Sequence, residues 1–407
     1  MNCRHCKTKL KHTFLDLGYA PPSNAYLSKK DLNHPEVYLP LKIKVCNQCW
    51  LVQTEDYVDP ENLFTSEYDY FSSTSKSWLS HAHDYSNKII KDLRLDNLSY
   101  VIEIASNDGY LLKNFIKKKI PCLGIEPTTN TAKAAEKLKI PVIKKFFGEI
   151  LGKQLADEGK QADLIIGNNV YAHVPNINDF TKGLKAVLKP GGTITLEFPH
   201  LMRLIEQTQF DTIYHEHFSY LSLHTVDRIF SSVGLRVWQV EEISTHGGSL
   251  RVYGCHQNDK REVSRSVDKL LRDEANCGLL KLETYMNFSN RVNKIKNDLL
   301  SFLIEQKNSG NKVVAYGAAA KGNTLLNYAG VKSDLIPFVY DAAKSKQGKF
   351  MPGSHIPILS PELLLKTSPD FLLILPWNIA EEIRFQNNSL IESGVKFVIA
   401  VPNLTIT

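Results

Sequence analysis

The sequence predicts an α/β protein with a small cysteine-rich module followed by two doubly wound, Rossmann-like sheets. Two observations lead to this fold class. Two Cys-x-x-Cys pairs lie within the first fifty residues, and strands then alternate with helices in two series, residues 100–198 and 312–401. Such alternation is typical of a parallel sheet that binds ligands at the carboxyl ends of its strands. A length of 407 residues is enough for two or three domains.

Composition and charge narrow the class of function. The apolar fraction of 43% and the charged fraction of 23% are ordinary for a globular protein. The formal net charge of +6 suits an anionic ligand, but it is too small to indicate nucleic acid. No apolar run has the length of a membrane span, and the first residues have no apolar signal-peptide core. We therefore expect a cytoplasmic protein that binds neither nucleic acid nor membrane, as a monomer or small homo-oligomer.

The four paired cysteines predict a structural metal site. Cys3 and Cys6 form one pair, Cys46 and Cys49 the other, and a run with strand character, residues 38–45, leads into the second. Two such pairs can place four thiolates at the corners of a tetrahedron, which Zn²⁺ prefers. A site with four protein ligands has no open position for catalysis, so the ion would hold the module together. The alternative is four free thiols.

A stretch rich in hydroxyls and aromatics, residues 68–75, separates the module from the first βα series. It contains Tyr68 and Phe71, and it ends with Thr74 and Ser75 ahead of a helical pattern. One interpretation is a linker that ends in a helix cap. The other is a lid that hydrogen-bonds a polar ligand, and the sequence alone slightly favours the linker.

The first βα series predicts a nucleoside site. The strand at residues 100–104 runs into Ala105-Ser-Asn107-Asp108-Gly109, where a dinucleotide loop would have more glycines, and Asp108 would repel a pyrophosphate. Glu126 ends the next strand, where an acid can accept both hydroxyls of a ribose. A nucleoside without phosphates fits best, and S-adenosylmethionine is the obvious one. The predicted donor-binding residues are Glu103, Ala105, Ser106, Asn107, Asp108, Gly109, Glu126, Pro127, Phe147 and Asn168. For Phe147, core packing is the default alternative to covering the adenine.

Later elements complete this domain. A strand at residues 163–167 leads into Asn168 and Asn169, and a Lys-Pro-Gly-Gly turn at 189–192 precedes a strand at 193–198. Strands at 235–240 and 250–255 then flank a glycine turn. A closing antiparallel pair of this kind follows the fifth strand in the seven-stranded methyltransferase sheet. His246 in the turn is either a ligand contact or exposed.

The stretch from Asp211 to Tyr220 contains the usual components of a proton-transfer site. It places Tyr214, Glu216 and His217 close together, and such groups are costly to bury unless each has a partner. We expect it to supply a catalytic base. The alternative is a solvated loop with two surface histidines.

The last part of the chain predicts a helical connector, residues 257–310, and a second α/β series. A small-residue loop at 317–320 opens a helix that carries Lys321 and Asn323, so backbone N–H groups and a cation together form an anion site. Asp341 ends the next strand, and a basic run at 344–349 contains Lys346. Diphosphate binding is our interpretation of both basic clusters, with a solvated charge run as the alternative for the second.

Several motifs in this order resemble one enzyme family. They are the cysteine pairs and the stretches Glu103–Gly109, 167–173, Tyr214–Tyr220, 246–251 and 316–323. The chain resembles the S-adenosylmethionine-dependent methyltransferases that act at carbon 3 of nucleotide-linked 4-keto-6-deoxyhexoses. The resemblance covers nearly the whole length, and it implies a zinc module, a central methyltransferase domain and a C-terminal domain that shares the sugar nucleotide with it.

The resemblance also implies roles for single residues. The second histidine of the Tyr-His-Glu-His motif, here His217, is the family's base, and Tyr214 and Glu216 match neighbouring active-site positions. Asn169, His173 and Tyr68 match contacts on the sugar side. With the C-terminal clusters, the expected substrate-binding residues are Tyr68, Phe71, His246, Lys321, Asn323, Asp341 and Lys346.

We therefore expect a sugar C-3 methyltransferase with domains at 1–70, 71–256 and 257–407. The substrate would be a dTDP- or GDP-linked keto sugar, and branched deoxysugars the product. Three alternatives remain: an RNA methyltransferase with a zinc ribbon, a non-catalytic binding protein, and an N- or O-methyltransferase on the same kind of substrate.

Overall fold

Three β-sheets organise the computed structural model, which describes residues 1–55 and 71–407. One apolar core cluster extends from the N-terminal sheet through the central sheet to the C-terminal sheet. The three parts are therefore packed against one another, and side chains from all of them can meet at one site.

The N-terminal sheet is antiparallel. Its first three strands are β1 (His12–Ala20), β2 (Leu39–Val45) and β3 (Val52–Thr54), and a 3₁₀ turn, Asp31–Asn33, lies between β1 and β2. Alternate residues of β2 are buried, which confirms the strand expected before the second cysteine pair and explains its apolar–polar alternation. Phe14 of β1 stacks on Phe288, with 4.6 Å between the ring centroids, so the module is also held by the later connector.

The central domain is the predicted seven-stranded sheet. Its helices up to residue 206 are α1 (Lys76–Asp92), α2 (Leu112–Lys117), α3 (Thr129–Lys137), α4 (Glu149–Asp157), α5 (Ile177–Val187) and α6 (Leu201–Glu206). The strands over the same part are β4 (Val101–Ile104), β5 (Cys122–Ile125), β6 (Val142–Ile143), β7 (Ala162–Asn168) and β8 (Leu188–Pro199). The Ser75 hydroxyl caps α1 by accepting from the Trp78 N–H, as the linker interpretation predicted.

Strand β8 begins earlier than expected. The Lys-Pro-Gly-Gly turn lies inside it as an irregularity, because Gly191 has φ of +78° and the register with β7 shifts between Ala162 and Leu164. The turn was predicted to precede the strand at 193–198, and this placement was wrong, because the strand already begins at Leu188.

Strand β9 (Ser219–Tyr220) belongs to the N-terminal sheet. Tyr220 is paired with Val52 of β3, and the Thr54 N–H donates to the Phe218 carbonyl at 3.2 Å. The segment that carries His217 therefore leaves the central domain and becomes the fourth strand of the cysteine-rich module.

The central sheet closes with an antiparallel pair. Helix α7 (Leu223–Ser232) precedes β10 (Leu235–Ile243) and β11 (Ser249–His256). The strand order is β10-β11-β8-β7-β4-β5-β6, and β4 to β8 are parallel. The carboxyl ends of β4, β5 and β7 thus meet at the edge where the predicted nucleoside site lies.

Three helices form the predicted helical connector. They are α8 (Arg265–Asn276), α9 (Leu282–Met286) and α10 (Phe288–Asn308). Gly278, with φ of +83°, lies just beyond the end of α8, a conformation that other residues adopt only under strain.

The C-terminal sheet is a second parallel sheet with one antiparallel edge. Its strands are β12 (Val313–Tyr316), β13 (Val339–Tyr340), β14 (Ile358–Leu359), β15 (Phe371–Ile374), β16 (Lys396–Ile399) and β17 (Thr405–Ile406). Its helices are α11 (Ala320–Ala329), α12 (Leu364–Thr367), α13 (Ala380–Gln386) and α14 (Asn388–Glu392). The strand order is β14-β13-β12-β15-β16-β17. Within the described ranges, no helix has the length and apolar character needed to cross a bilayer.

Candidate active site

The four paired cysteines converge on one point. Their Sγ atoms all lie within 4.8 Å of one another, with 3.5 Å between Cys3 and Cys49 and 3.5 Å between Cys6 and Cys46. Four sulfur ligands of a tetrahedral zinc lie about 3.8 Å apart, so the donor set fits that ion. The hydrogen bond between the Cys3 and Cys49 sulfurs, followed by the bond from the Gln53 amide, lowers the pKa of Cys3 against the opposing effect of burial.

The loop after β4 has the shape expected of a nucleoside site. Ala105 and Asn107 have left-handed φ angles of +56° and +49°, where glycine is usual, and Gly109 has +79°. A Cβ on Gly109 would lie 2.5 Å from the Ile140 side chain, so that position tolerates only glycine. The turn lies at the carboxyl end of the strand, and its residues are buried or half-buried.

Glu126 braces this loop from the end of β5. Its carboxylate accepts hydrogen bonds from the Asn107 N–H and the Thr128 N–H, both at 2.9 Å, and Pro127 follows half-buried. The loop on one strand and the acid on the next are therefore held as a unit. Contact of Glu126 with a ribose stays a prediction.

Buried polar atoms without partners surround the loop. Within the part of the chain that the structure describes, Glu103 Oε2, Ser106 Oγ, Asp108 Oδ1 and both side-chain polar atoms of Asn168 have no hydrogen-bond partner. Burial, and then the charges of Asp108 and Glu126, hold the pKa of Glu103 well above its usual range. Buried groups of this kind ordinarily have partners. Their concentration at one sheet edge fits a polar ligand.

The stretch before α1 reaches this loop. The N–H groups of Ser72 and Ser73 donate to Asn107 Oδ1 at 2.9 Å and to Asp108 Oδ2 at 3.0 Å. Phe71, half-buried, lies directly before them, whereas Tyr68 lies outside the described residues. These two hydrogen bonds join the stretch to the loop predicted to bind the methyl donor, and they therefore support the lid interpretation.

Phe147 packs edge-on against Phe180 of α5, with 5.3 Å between the ring centroids. Its neighbour Phe146 is exposed. The structure thus shows the core contact that was the default alternative for Phe147, and contact with an adenine stays a prediction.

His217 is buried and held in one tautomer. Its Nδ1 lies 3.0 Å from the Thr212 carbonyl oxygen, which can only accept, so Nδ1 carries the proton and Nε2 the lone pair. Burial, followed by the positive charge that His173 can carry, holds the pKa of His217 well below its usual range. A neutral imidazole with a fixed lone pair is the form that removes a proton.

Aromatic groups surround this imidazole. Ring centroids of His173, Tyr214 and Tyr220 lie 4.7, 4.1 and 5.9 Å from that of His217. Burial lowers the pKa of His173 to about 4, so this second imidazole is also neutral at pH 7. The solvated-loop alternative is wrong, since His217 and its neighbour Glu216 are only 7% and 4% exposed.

Asn169, which follows β7, contacts His246, which lies in the turn between β10 and β11. Asn169 Nδ2 lies 3.2 Å from His246 Nε2, and both residues have left-handed φ angles, +52° and +55°. Strained backbone of this kind clusters at functional sites. Burial lowers the pKa of His246 to about 4, so its Nε2 can accept from the amide.

The C-terminal residues form two groups. Lys321 Nζ donates to Asn378 Oδ1 at 2.5 Å and lies 4.6 Å from the centre of the Trp377 ring. Lys346 Nζ donates to the Ala318 carbonyl at 2.7 Å and lies 3.8 Å from Asp341. Burial lowers the pKa of both lysines. In the basic run, Lys344 is exposed while Lys346 points inward, so the solvated-run alternative describes only part of it.

Sequence reasoning missed several residues at this site. Asn24 donates to Glu216 Oε1 at 2.7 Å, and the Trp377 indole N–H donates to Asp211 Oδ2 at 2.7 Å. Asn323 was predicted to bind substrate, but its amide donates to the Ser23 carbonyl at 2.6 Å. The buried acids Asp211 and Glu216 are a signal that each needs a partner, but nothing local shows where that partner lies.

Comparison with known proteins identifies the family. Residues 244–402 match a C-methyltransferase C-terminal domain, residues 78–240 a methyltransferase domain, and residues 3–64 a zinc-binding domain. C-methyltransferase NovU from Streptomyces niveus is 32% identical over 400 residues, which cover 98% of this chain and 95% of that protein. The chain belongs to this C-methyltransferase family. The predicted fold class and the resemblance are thereby confirmed.

The similarity to solved structures covers less of the chain. The PH0226 protein from Pyrococcus horikoshii OT3 covers 46% of this chain and 94% of its own, with 14% identity and a TM-score of 0.38. Magnesium protoporphyrin IX methyltransferase from Synechocystis PCC 6803 covers 43% and 81%, with 13% identity and a TM-score of 0.34. At such scores neither carries an inference about the reaction.

Proposed function

We propose that this C-methyltransferase transfers a methyl group from S-adenosylmethionine to carbon 3 of a nucleotide-linked 4-keto-6-deoxyhexose. The observation that carries the proposal is the fixed tautomer of His217, a buried neutral base with its lone pair on Nε2. Transfer to carbon requires removal of a proton from carbon, whereas oxygen and nitrogen nucleophiles already hold a lone pair. A base is therefore required for the C-methyl product, and the match to C-methyltransferases favours that product over the N- and O-methyl alternatives.

The methyl donor would be held at the carboxyl ends of β4, β5 and β7. The residues that fit it are the Ala105–Gly109 loop, Glu126 and Asn168, because their polar groups are buried and in part lack partners among the described residues. S-adenosylmethionine, when bound, supplies a methyl group on a positively charged sulfur. The predicted roles of Glu103, Pro127 and Phe147 belong to the same proposal.

The acid–base chemistry is assigned to the histidine segment, residues 211–220. A keto group at carbon 4 acidifies the proton on carbon 3, and His217 Nε2 takes that proton while the electron pair moves onto the keto oxygen. The enolate needs donors placed in advance, and His173, Asn169 and Tyr214 are the candidates. Base catalysis of this kind typically contributes about 10²–10⁴-fold to the rate.

The nucleotide diphosphate would lie against the C-terminal domain. Lys321 lies near the start of α11, and Lys346 lies in the loop after β13. Burial of these two cations strengthens their interaction with an anion. His246, Asn323 and Asp341 are further predicted contacts. The division into domains at 1–70, 71–256 and 257–407, with a structural Zn²⁺ in the first, is part of this proposal.

Mass spectrometry in heavy water tests the proposal. The purified protein is incubated with S-adenosylmethionine and a panel of dTDP- and GDP-linked 4-keto-6-deoxyhexoses. We expect one added methyl group on one substrate. Without the methyl donor, we expect deuterium uptake at carbon 3, because the base acts on the sugar alone. If no sugar is methylated and no sugar exchanges deuterium, the proposal is excluded. Tight, salt-sensitive RNA binding would then favour the RNA alternative.

Two variants assign the base. His217→Gln should retain binding of both ligands and lose about 10²–10⁴-fold in exchange and in methyl transfer. His215→Gln is the matched control, since His215 Nε2 lies 3.2 Å from the Pro40 carbonyl and the glutamine amide can also donate there. The assignment fails if His217→Gln turns over near the wild-type rate, or if both variants lose activity equally.

A further inference from the structure

A loop of the cysteine-rich module, residues 21–27, lies between the histidine segment and the C-terminal domain. The Tyr26 hydroxyl donates to the Ala318 carbonyl at 2.5 Å, and the Ser23 carbonyl accepts from Asn323. Leu27 and Phe350 exchange two backbone hydrogen bonds, of 3.0 and 2.8 Å. The module loop is thus fixed at both of its ends by the C-terminal domain.

From this fixed loop, one side chain reaches the histidine segment. Asn24 Nδ2 donates to Glu216 Oε1 at 2.7 Å, across 192 residues of sequence. Glu216 is buried, whereas Asn24 is exposed, so the hydrogen bond lies at the solvent-facing side of the carboxylate. That is the side from which a substrate can approach.

We propose that the module loop forms one wall of the substrate site and that Asn24 is a positioning residue, which holds the Glu216 carboxylate toward the substrate. The proposal rests on the proposed function, because it concerns the site next to the His217 base. It gives the cysteine-rich module a part in the reaction beyond the stability that its metal supplies.

The chemistry of Glu216 explains why a neutral amide suits this position. Burial raises the pKa of Glu216 to about 7, and the Asn24 amide works against that rise by donating to the ionised form. An amide selects the ionised carboxylate without the strong attraction of a cation, so the charge can still respond to substrate.

The other groups that face Glu216 come from three elements. Tyr26 of the module loop lies close enough to feel the charges of Glu216 and Asp341, and Lys346 lies 5.1 Å from the Tyr26 ring centre. On the central domain, the Glu216 carbonyl interacts with the His173 imidazole. Among these neighbours, Asn24 makes the hydrogen bond to the Glu216 carboxylate, so it is the residue to change.

A double-mutant cycle tests whether Asn24 acts through Glu216. The variants are Asn24→Ala, Glu216→Gln and the pair, with Asn33→Ala as the control because it is an exposed asparagine of the same module. A hydrogen bond to a charged group corresponds to about tenfold or more in rate, so we expect Asn24→Ala to slow methyl transfer about tenfold near pH 7. In the Glu216→Gln background, we expect the same change to cost less than about twofold.

The pH profile separates positioning from a merely structural role. In the pH–rate profile, the limb that reflects the titration of Glu216 should move to higher pH in Asn24→Ala. That limb should disappear in Glu216→Gln and stay in place in Asn33→Ala. The proposal is overturned if the limb does not move, or if Asn24→Ala costs the full tenfold in both backgrounds. Should Asn24→Ala fold poorly, Asn24→Asp keeps the size and should move the limb upward further, because two carboxyls then share one site.

A measurement without substrate keeps this proposal apart from the proposed function. In protein labelled with ¹³C at the glutamate carboxyl carbons, the resonance lost in Glu216→Gln belongs to Glu216. Its titration midpoint should rise in Asn24→Ala. If that midpoint rises while the wild-type protein methylates no sugar, the proposed function fails and the pairing of Asn24 with Glu216 stands. A midpoint that stays unchanged in an active enzyme overturns the role of Asn24.

Discussion

Two buried glutamates of the central domain show opposite electrostatic environments. Glu197 of β8 is fully buried and has three polar partners: the Arg251 guanidinium, with Nη2 at 2.7 Å, His81 Nε2 at 3.0 Å and the Thr245 hydroxyl at 3.1 Å. Together these partners outweigh burial and lower the pKa of Glu197 to about 2. Glu216 is nearly as buried, but it has the Asn24 amide in place of a cation, and its pKa is raised to about 7.

The partners of the two carboxylates indicate that Glu197 has a structural role, although both acids are buried. Glu197 stays ionised at every ordinary pH, and it ties α1 to β8 and β11 through His81 and Arg251. Glu216 exchanges its proton near neutral pH, and a group poised in this way suits acid–base chemistry. Burial alone therefore does not distinguish the two; the charge of the partners does.

Removing the cation from Glu197 should have the largest effect on stability. Arg251→Met leaves a buried carboxylate without its guanidinium partner, and we expect a loss of about 3–5 kcal/mol in the free energy of unfolding, measured with urea. Arg203→Met is the control, because the ion pairs of Arg203 with Glu206 and Glu242 are partly exposed and contribute about 0–1 kcal/mol. Equal losses in both variants would refute the comparison.

The pH dependence of stability should differ in sign between the two glutamates. Between the unfolded pKa near 4.3 and about 7, folded Glu216 keeps a proton that the unfolded chain releases, so its contribution to stability falls as pH rises. Glu216→Gln should therefore be more stable than the wild type above pH 7, by up to about 3 kcal/mol.

For Glu197 the sign is reversed. Its folded pKa is lowered, so its contribution is present above pH 4.3 and is lost as pH falls toward 2. Glu197→Gln should be less stable than the wild type at pH 7. Urea unfolding from pH 3 to pH 8 compares each variant with the wild type, and a difference from the wild type that follows the same pH trend in both variants would contradict the expectation.

The smallest expected effect is that of Thr245→Val. It removes one hydroxyl donor from Glu197 but leaves Arg251 and His81, so we expect a loss of about 1 kcal/mol in the free energy of unfolding. Thermal unfolding resolves such a change. A loss as large as that of Arg251→Met would mean that the hydroxyl, rather than the cation, decides the charge of Glu197.

Local patterns in the sequence predicted the elements and the convergent cysteines. The strand at 38–45, the loop Ala105–Gly109 and the closing antiparallel pair each depend on neighbours in sequence, so composition and periodicity are enough. The two Cys-x-x-Cys pairs are about forty residues apart in sequence, but their convergence could be predicted because both supply the same kind of metal ligand.

Partners of different chemistry could not be matched in that way. Asn24 lies in a proline-rich stretch that indicates only a turn, and its partner lies 192 residues away. Arg251 faces Glu197 across β11 and β8, which becomes visible only when the register of the two strands is known. The histidine-rich stretch was recognised from its own residues, whereas its contact with the loop that carries Asn24 became visible only in the fold.

The pairing of β9 with the N-terminal sheet fixes an order of assembly. Thr54 and Phe218, which meet at this pairing, lie 164 residues apart, so a ribosome adding about 5–20 residues per second needs roughly 10–30 s between them. All four thiols have been synthesised by residue 49, well before the histidine strand exists. During translation the four cysteines can therefore come together first, and the segment that carries His217 can pair with β3 only afterwards.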